Sequence, residues 1–547
     1  MIKLRVLPLL QPQRLFAALM IYNRGKSSTT TTTGQSMNLP RRSTFESKPI
    51  QNNQVRNYTS STTSTSNNNS NRVFKDNYLD DSFWNFSSQG PAFAVDPANI
   101  EFIREPDDFY NHLIEGVKRA TKRITFASLY LGTGKQEKQL VSEMIAACER
   151  NPELKIHILL DGLRGTRESP GETPASAKVS SATMLQPLYD QFPERVTISL
   201  YHTPDLNGLL KKMLPPRVNE TIGVNHLKTY VFDNDLMMSG ANLSKDYFTN
   251  RQDRYVWIYR TESIATFFDR VVATVGTISY HLGSKGAVQL ASGSLDPVAQ
   301  SADFKLLAEK RLAALIQPNT FYLPNNSKQS LSSPFDAPTK STWIFPTIQM
   351  GPFNIRHDEV LTSYIFENVP ADSKFYITSP YFNLTKNYLN LILSGKPQLD
   401  IITCSPEANG FFGAKGLSSA VPDCYAIIER RFLERVVDSG NEERIKVDEY
   451  IRSKWTYHAK GLWITAQQQS LPSVTLIGSP NFGSRSVEKD LEAQMIILTQ
   501  DKSLQQKMED ERTYLWQDTQ VADMELFKQR KISLWVKVLV YLFGNYL

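Results

Sequence analysis

The chain has 547 residues and a mean hydropathy of −0.35, which allows two to four domains and excludes a protein made of many membrane spans. Its net charge of +6 is unevenly spread, because residues 1–72 hold ten lysines and arginines and one glutamate, a charge of +9, and leave −3 for the rest. The body is therefore not a basic nucleic-acid binder by composition, and no nucleic-acid partner is expected.

The N-terminal segment has the composition of a targeting sequence. Residues 1–45 contain no acid, and they mix spaced lysines and arginines with leucine, isoleucine and phenylalanine before a Ser/Thr run. This pattern is typical of a mitochondrial transit peptide, whereas Arg14 and Arg24 interrupt the apolar stretch that a secretory signal needs. Residues 46–75 are polar and of low complexity, which predicts a disordered linker.

The rest of the chain contains an internal repeat of two copies. Residues 123–150 have the pattern of a buried strand, a turn and an amphipathic helix, and residues 374–395 repeat it. A second strand follows in each copy, at 155–162 and 398–405, and this alternation predicts α/β units. The predicted parts are a first half over 76–290, a linker or insertion over 291–340, and a second half over 341–547.

A third element matches most closely between the copies. Each copy has His-x-Lys on a strand, a short second strand, Gly/Ser-rich residues that lead to an asparagine, and an acid eleven residues later. The histidine and the asparagine are 16 residues apart in the first copy and 23 in the second, which predicts a hairpin loop at the insert AQQQSLPS. The matched pairs are His226 and His458, Lys228 and Lys460, Asn242 and Asn481, and Asp253 and Glu492.

These residue types suit an anion that is to be attacked. Side chains alternate along a strand, so the histidine and the lysine of each motif point to one face. Lysine supplies charge, asparagine supplies hydrogen-bond donors, and histidine supplies a nucleophile or a proton carrier. Two facing sets would let one histidine attack phosphorus while the other protonates the leaving oxygen. Asp253 and Glu492 are the candidates to bind the far imidazole nitrogens and hold the tautomers.

At these residues the chain resembles the phospholipase D superfamily, whose signature is His-x-Lys-x4-Asp followed by a Gly/Ser-rich motif with asparagine. The first copy matches in full, with Asp233 and SGAN (239–242). The second copy keeps GSPN (478–481) but has Thr465 at the aspartate position. Within the superfamily, the chain looks like the eukaryotic phosphatidylglycerophosphate synthases. The motifs that carry this resemblance are SLYLGTG, DGLRGTR, SPYFN and HAKGLW, together with the missing second aspartate.

The resemblance implies the phospholipase D fold, an α/β architecture of two pseudo-symmetric halves, each with a mixed sheet flanked by helices, and an active site at their interface. It implies transfer of a phosphatidyl group from CDP-diacylglycerol to sn-glycerol 3-phosphate, the committed step towards phosphatidylglycerol and cardiolipin. In this interpretation His226 becomes a phosphohistidine and His458 protonates CMP, although the sequence leaves open which histidine attacks. Asp233 completes the catalytic motif, with a role that is mainly structural in the family.

No cofactor is expected, and the chain shows no cluster of ligand residues with metal-site spacing. Further cations are expected beside the cleft, because the acceptor carries its own phosphate. The weaker substrate-binding candidates are Arg164, Arg167 and Lys415 for that phosphate, and Ser128, Tyr130, Gly132 and Gly134, in a strand-end turn, for the cytidine diphosphate.

A lipid substrate requires contact with a membrane. Residues 205–217 and 532–547 mix apolar residues with cations. The second segment has 16 residues, which is short for a span of about 20, so it predicts either an interfacial anchor on the mitochondrial inner membrane or a last element packed on the core. The alternative functions are a cardiolipin synthase, a phospholipase D-type phosphodiesterase, and a lipid-binding pseudoenzyme, which Thr465 allows.

Overall fold

The computed structural model describes residues 77–169, 178–208, 219–323, 333–335 and 341–544. The predicted transit peptide, the predicted linker and most of the segment 205–217 lie outside the described residues. The helices span Asn77–Gln89, Pro106–Arg119, Lys135–Arg150, Gly162–Gly165, Ser181–Gln191, Glu262–Gly276, Ser301–Ala313, His357–Asn368, Lys386–Ser394, Val421–Asp438, Ser484–Glu488, Lys502–Trp516, Met524–Gln529 and Leu534–Phe543. None of the helices in these ranges is long and apolar enough to cross a membrane.

The first sheet has nine strands drawn from the first half of the chain. Its three central parallel strands are connected through helices, as parallel pairing requires, and the strands beyond Arg123–Ser128 run antiparallel. In order across the sheet, the strands are Val288–Leu290, Tyr280–Leu282, Val196–Tyr201, Lys155–Asp161, Arg123–Ser128, Thr229–Phe232, Asp235–Ser239, Tyr255–Ile258 and Ile100–Ile103.

The second sheet has eleven strands and repeats that arrangement, with three parallel strands next to a run of antiparallel ones. In order, the strands are Phe321–Tyr322, Ala92–Ala94, Thr342–Met350, Leu491–Thr499, Val474–Gly478, Gly461–Thr465, Lys374–Thr378, Gln398–Cys404, Ile445–Tyr450 and Thr519–Val521, and Ile355–Arg356 pairs with Thr342–Met350. The predicted hairpin loop is present, because the insert AQQQSLPS joins Gly461–Thr465 to Val474–Gly478.

The two sheets share one hydrophobic cluster. Alternation along the strands decides which side chains enter it: Val256 and Ile258 lie in the shared cluster, whereas Tyr255 and Trp257 lie in a separate cluster on the other face of the first sheet. The second sheet contributes Ala493, Met495 and Ile497 by the same rule, while Ile496 and Leu498 pack on its outer face. The halves therefore meet through one face of each sheet, including the strands Tyr255–Ile258 and Leu491–Thr499, which follow Asp253 and contain Glu492.

One segment differs from the predicted division. The helix Asn77–Gln89 and the strand Ala92–Ala94 fall within the predicted first half, but Ala92–Ala94 pairs with Thr342–Met350 of the second sheet, and Phe83 and Phe86 make edge-to-face contacts with its aromatic side chains. The segment predicted as a linker or insertion, 291–340, contains the helix Ser301–Ala313, whose Phe304, Ala308 and Leu312 join the shared cluster.

Candidate active site

Each predicted histidine lies against the acid of the other half. His226 Nδ1 is 2.8 Å from Glu492 Oε2, and His458 Nδ1 is 2.6 Å from Asp253 Oδ2. Both carboxylates are fully buried, and the histidine side chains are only 13% and 5% exposed. The sequence predicted the two acids and their contact with imidazole nitrogens, but it did not predict this crossed pairing.

Backbone pairing between the halves produces the crossing. Arg251–Gln252 and Thr456–Tyr457 form a two-stranded parallel sheet, and the His458 N–H donates to the Gln252 carbonyl at 2.7 Å. On the other side of the pseudo-symmetric site, the His226 N–H donates to the Leu491 carbonyl at 2.8 Å. Gln252 and Leu491 each stand immediately before an acid, so the same bond holds each histidine beside the carboxylate of the opposite half.

The two motif lysines lie beside their own histidines, but each His-x-Lys segment precedes the strand that was expected to carry it, Thr229–Phe232 or Gly461–Thr465. Lys228 Nζ donates to the His226 carbonyl at 2.9 Å. Lys460 Nζ is 2.8 Å from His458 Nδ1 and 3.6 Å from Asp253 Oδ2. Both lysines are 1% exposed, so each charge acts where little water screens it.

Burial dominates the electrostatics of the site. It lowers the pKa of His226 and of His458 well below the ordinary value, and the charge of the lysine in each motif lowers it further. Burial also lowers the pKa of Lys228 to about 7, although the Glu492 carboxylate opposes this shift. Both shifts favour the neutral imidazole. This is the state that His226 needs as a nucleophile, whereas His458 must carry a proton in the substrate complex before it can act as an acid.

The two acids shift in the opposite direction. Burial raises the pKa of Asp253 to about 6, against the nearby charge of Lys460, and raises that of Glu492 to about 7, against the charge of Lys228. In its ionised form the Glu492 carboxylate only accepts hydrogen bonds, so this form directs the His226 proton to Nδ1 and leaves a lone pair on Nε2. The pair is thus built to keep one imidazole nitrogen nucleophilic.

The glycines of the Gly/Ser-rich motifs leave room for the charged groups. A Cβ atom on Gly240 would lie 2.6 Å from both Asp253 Oδ1 and Lys460 Nζ. A Cβ atom on Gly478 would lie 2.2 Å from the Gln494 side chain on the neighbouring strand. The pattern that marked these motifs in the sequence therefore has a steric cause.

The two motif asparagines differ in their surroundings. Asn242 Nδ2 donates to Tyr247 Oη at 3.1 Å, and the Asn481 N–H donates to Ser486 Oγ at 3.0 Å. Within the described residues, the side-chain Oδ1 atoms of both asparagines are buried and lack a hydrogen-bond partner. Buried amides of this kind are rarely left unpaired in proteins, which is consistent with their use by a ligand.

The Asp233 carboxylate anchors the backbone of the neighbouring segment, which agrees with the mainly structural role that the resemblance implies. Its carboxylate accepts hydrogen bonds from the N–H groups of Thr121, Lys122 and Arg123 and from the Thr121 hydroxyl. Burial would raise the pKa of Asp233, but these bonds outweigh it and lower the pKa. Asp233 directly follows the strand Thr229–Phe232 and is separated from His226 by roughly 20 Å of extended chain. It therefore fixes the end of this strand that is far from the histidine.

Thr465 occupies the matching place in the second copy and needs no such anchor. It is the last residue of the strand Gly461–Thr465, where it pairs with Lys374 in the ladder. The strand therefore continues to the position where the first copy turns, and the longer loop follows it. The substitution lies away from both histidines, so it does not argue for a pseudoenzyme.

The weaker predicted candidates are explained mainly by local structure. Gly132 and Gly134 leave space for the buried Glu137 carboxylate, which would lie 2.4 Å and 2.8 Å from a Cβ atom at these positions. This carboxylate accepts a bond from the Lys245 N–H, so the turn is built around Glu137. The exposed Lys415 precedes a short 3-10 helix.

The predicted turn residues Ser128 and Tyr130 and the predicted arginines also have protein partners. Ser128 Oγ donates to the Tyr130 carbonyl at 3.1 Å. Arg164 lies 4.4 Å from the Tyr130 ring centroid and 3.6 Å from Glu220 Oε2, and Arg167 pairs with the same glutamate. Their roles in substrate binding stay predictions.

Sequence reasoning missed the groups that surround His458. Tyr247 Oη lies 3.3 Å from His458 Nε2, and the Tyr381 ring centroid lies 5.8 Å from the imidazole. Arg251 lies 4.7 Å from the Tyr247 ring centroid. Tyr381 belongs to the SPYFN motif, but neither Tyr247 nor Arg251 stands at a position where the copies agree, so comparison of like residues passed over them.

A different pair of missed residues lies near His226. Asp490 binds Arg485 Nε at 2.9 Å and accepts a hydrogen bond from the Val224 N–H. His226, Asp490 and Glu492 bring three potential metal-ligand atoms within 4.8 Å of one another. Glu492 is already bound to the imidazole and Asp490 to the guanidinium, so these donors have protein partners.

Comparison with known proteins places this geometry in context. Residues 113–272 match a family model described as "Cardiolipin synthase, PLD-like domain". A Dictyostelium discoideum protein named "Probable CDP-diacylglycerol--glycerol-3-phosphate 3-phosphatidyltransferase" is 60% identical over 100% of both chains. A human protein of the same enzyme name, with the addition "mitochondrial", is 41% identical over 83% of this chain and 84% of its own. The crystal structure of phosphatidylserine synthase from Haemophilus influenzae Rd KW20 aligns with a TM-score of 0.62 and 21% identity over 85% of this chain and 97% of that chain. The predicted fold class is confirmed.

Proposed function

The chain belongs to the family of CDP-diacylglycerol–glycerol-3-phosphate 3-phosphatidyltransferases, and we infer that it moves the phosphatidyl group through a phosphohistidine. It is a mitochondrial enzyme of phospholipid and cardiolipin biosynthesis that makes phosphatidylglycerophosphate and CMP from CDP-diacylglycerol and sn-glycerol 3-phosphate. The observation that carries the mechanism is the crossed pairing of two buried histidines with two buried carboxylates.

In the first step, His226 Nε2 attacks the phosphatidyl phosphorus. An N–P bond forms, the bond between phosphorus and the CMP oxygen breaks, and His458 supplies a proton to the departing CMP. The site has two arms, His226 with Glu492 and His458 with Asp253, and their surroundings support this order. Glu492 holds the His226 proton on Nδ1, whereas His458 Nε2 already contacts the Tyr247 hydroxyl. Lys228 and Lys460 stabilise the charge that develops on the non-bridging oxygens.

In the second step, the terminal hydroxyl of glycerol 3-phosphate attacks the phosphohistidine. A P–O bond forms, the N–P bond breaks, and the hydroxyl proton passes to His458, which restores the starting state. Asp253 stabilises the imidazolium that His458 becomes at this point, through the 2.6 Å contact with Nδ1.

The test is an assay of purified protein with CDP-diacylglycerol and labelled glycerol 3-phosphate. CMP and a labelled phosphorylated lipid are expected together, and His226→Asn should reduce both by about a hundredfold or more. Release of phosphatidic acid and CMP without any labelled lipid would show hydrolysis and contradict the transferase. The description of the matching family model names cardiolipin synthase, so phosphatidylglycerol is added as a second acceptor in the same assay. Preferred transfer to phosphatidylglycerol would favour a cardiolipin synthase.

We also propose that the C-terminal helix docks on an anionic lipid surface. Val536 and Val540 of Leu534–Phe543 pack on the helix Val421–Asp438, while Leu534, Trp535 and Tyr541 are 77%, 49% and 82% exposed. Lys531 and Lys537 are exposed nearby, and the sequence after Glu525 contains no acid. This surface combines apolar side chains with cations, as interfacial helices do.

The docking helix lies beside the site through its last turn. Asn383 Nδ2 donates to the Gly544 carbonyl at 2.7 Å, and Asn383 is two residues from the Tyr381 that faces His458. The double variant Leu534→Ser, Trp535→Ser should lose flotation with vesicles that contain phosphatidylglycerol. Leu306→Ser, at a residue 65% exposed on another helix, is the matched control. Equal flotation of both variants would contradict the docking role.

A further inference from the structure

The two arms of the site carry opposite charges at one matched position. Arg251 stands two residues before Asp253, and Asp490 stands two residues before Glu492. Because the pairing is crossed, Arg251 belongs to the surroundings of His458, and Asp490 to those of His226. The pseudo-symmetric site is therefore electrically polarised, with a cation at the His458 end.

Arg251 converges with two tyrosines beside His458. Its Nε donates to Thr456 Oγ1 at 2.9 Å, and its guanidinium lies over the ring of Tyr247, whose hydroxyl reaches His458 Nε2. A Cβ atom on Gly410 would lie 3.0 Å from an Arg251 guanidinium nitrogen and 3.5 Å from the Tyr381 hydroxyl, so the two groups border the same space.

The charge of Arg251 is less neutralised than the charges of Arg485 and Arg254, two other arginines near the interface. Its carboxylate partner, Asp246, lies 3.3 Å away and is 60% exposed, so water screens that pair. Arg485 on the opposite arm pairs with Asp490, which is 4% exposed, and Arg254 binds a buried glutamate. Arg251 is thus the cation best placed to receive a further anion.

We propose that Arg251, with Tyr247 and Tyr381, forms the subsite for the phosphate monoester of the acceptor. This inference rests on the proposed function, in which the acceptor hydroxyl must reach the phosphohistidine from the His458 side because His458 takes its proton. A phosphate three carbons from that hydroxyl then lies beyond His458, where the guanidinium can bind it. The same contact favours glycerol 3-phosphate as the acceptor over water and over glycerol, because neither of these carries a phosphate.

The test compares Arg251→Gln with the parent enzyme in three measurements. The ratio of kcat/KM for glycerol 3-phosphate to that for glycerol should fall at least about tenfold, since a charge-assisted contact is lost. The KM for glycerol 3-phosphate should rise. Exchange of labelled CMP into CDP-diacylglycerol without acceptor should change less than about twofold, because it needs only the first step.

The controls separate this inference from the proposed function. Arg452→Gln alters an arginine that also lies over an aromatic ring and pairs with a partly exposed aspartate, but it contacts neither histidine, and it should leave the ratio unchanged. Arg251→Lys keeps the charge and should retain part of the preference if the fold of Arg251→Gln is impaired. An unchanged ratio, or equal losses of exchange and transfer, would overturn the acceptor subsite. Absence of CMP exchange in the parent would instead count against the phosphohistidine, while the acceptor ratio would still test Arg251.

Discussion

The crossed carboxylates predict that Asp253→Asn and Glu492→Gln impair different steps. Asp253 contacts His458 Nδ1 at 2.6 Å, and its side chain is fully buried. Replacing a charge-assisted hydrogen bond costs about 1.5–3 kcal/mol, which corresponds to roughly a 10- to 150-fold slower step. In Asp253→Asn that loss falls on the second step, where a hydroxyl must be deprotonated. The first step is affected less, because CMP leaves as a phosphate whose second pKa is about 6 and needs little help from an acid.

The assay follows the phosphoenzyme after rapid mixing with CDP-diacylglycerol, by mass spectrometry of protein quenched at alkaline pH. Asp253→Asn should accumulate phosphohistidine and transfer it slowly to glycerol 3-phosphate. Glu492→Gln should form it slowly, because His226 loses the charged group that only accepts and so fixes its proton on Nδ1; the Gln amide can also donate. His226→Asn, which lacks the nucleophile, is the negative control. Rapid formation in Glu492→Gln together with none in Asp253→Asn would refute the assignment of the two arms.

Three further predictions concern single residues. Asp233→Asn should lower the free energy of unfolding by about 1–3 kcal/mol at neutral pH with kcat preserved, since the three backbone donors lose a charged acceptor and one of its two oxygens becomes an amide nitrogen. The pKa of Asp233 is lowered by folding, so the difference in Tm between this variant and the parent should vanish as the pH falls through that pKa. Lys228, whose pKa is lowered to about 7, loses its charge above that pH. The value of kcat/KM should therefore fall on the alkaline side, while kcat persists to higher pH. A flat kcat/KM profile to about pH 9 would contradict this. Gly240→Ala should reduce kcat at least about tenfold because a methyl group meets the buried charged pair, whereas Gly283→Ala, with only ordinary contacts at 3.5 Å or more, should not.

The catalytic residue types could be predicted because the chain carries them twice at matched spacing. Histidine, lysine, asparagine and acid recur in the same order, and this recurrence marks His226 and Lys228 as functional candidates without further information. The alternation of strands and helices in each half also follows from local patterns. Such signals depend on residues that are close together in sequence, so they can be recognised in a single sequence.

The crossing of the acids could not be predicted, because it depends on contacts between residues more than two hundred positions apart. His458 and Asp253 meet only after the strand Arg251–Gln252 has paired with Thr456–Tyr457. The position of the helix Asn77–Gln89 was missed for the same reason, since its aromatic residues could pack on either sheet by composition. Arg251 and Asp490 stand at matched positions with opposite charges, a signal that is present in the sequence but that a match of identical residues does not detect.

The crossing has a consequence for how the active site is kept in shape. Neither half holds a histidine together with the carboxylate that orients it, so both arms depend on the interface. Arg254, adjacent to Asp253, is fully buried and donates from two nitrogens to the carboxylate of Glu511 at 2.9 Å each, and it also lies 3.7 Å from the Trp463 ring centroid. Breaking a buried pair of this kind by removing one partner costs about 3–5 kcal/mol. The residue that follows one acid in sequence therefore locks that acid's strand onto the opposite half, and stability of the interface and alignment of His458 rest on the same few residues.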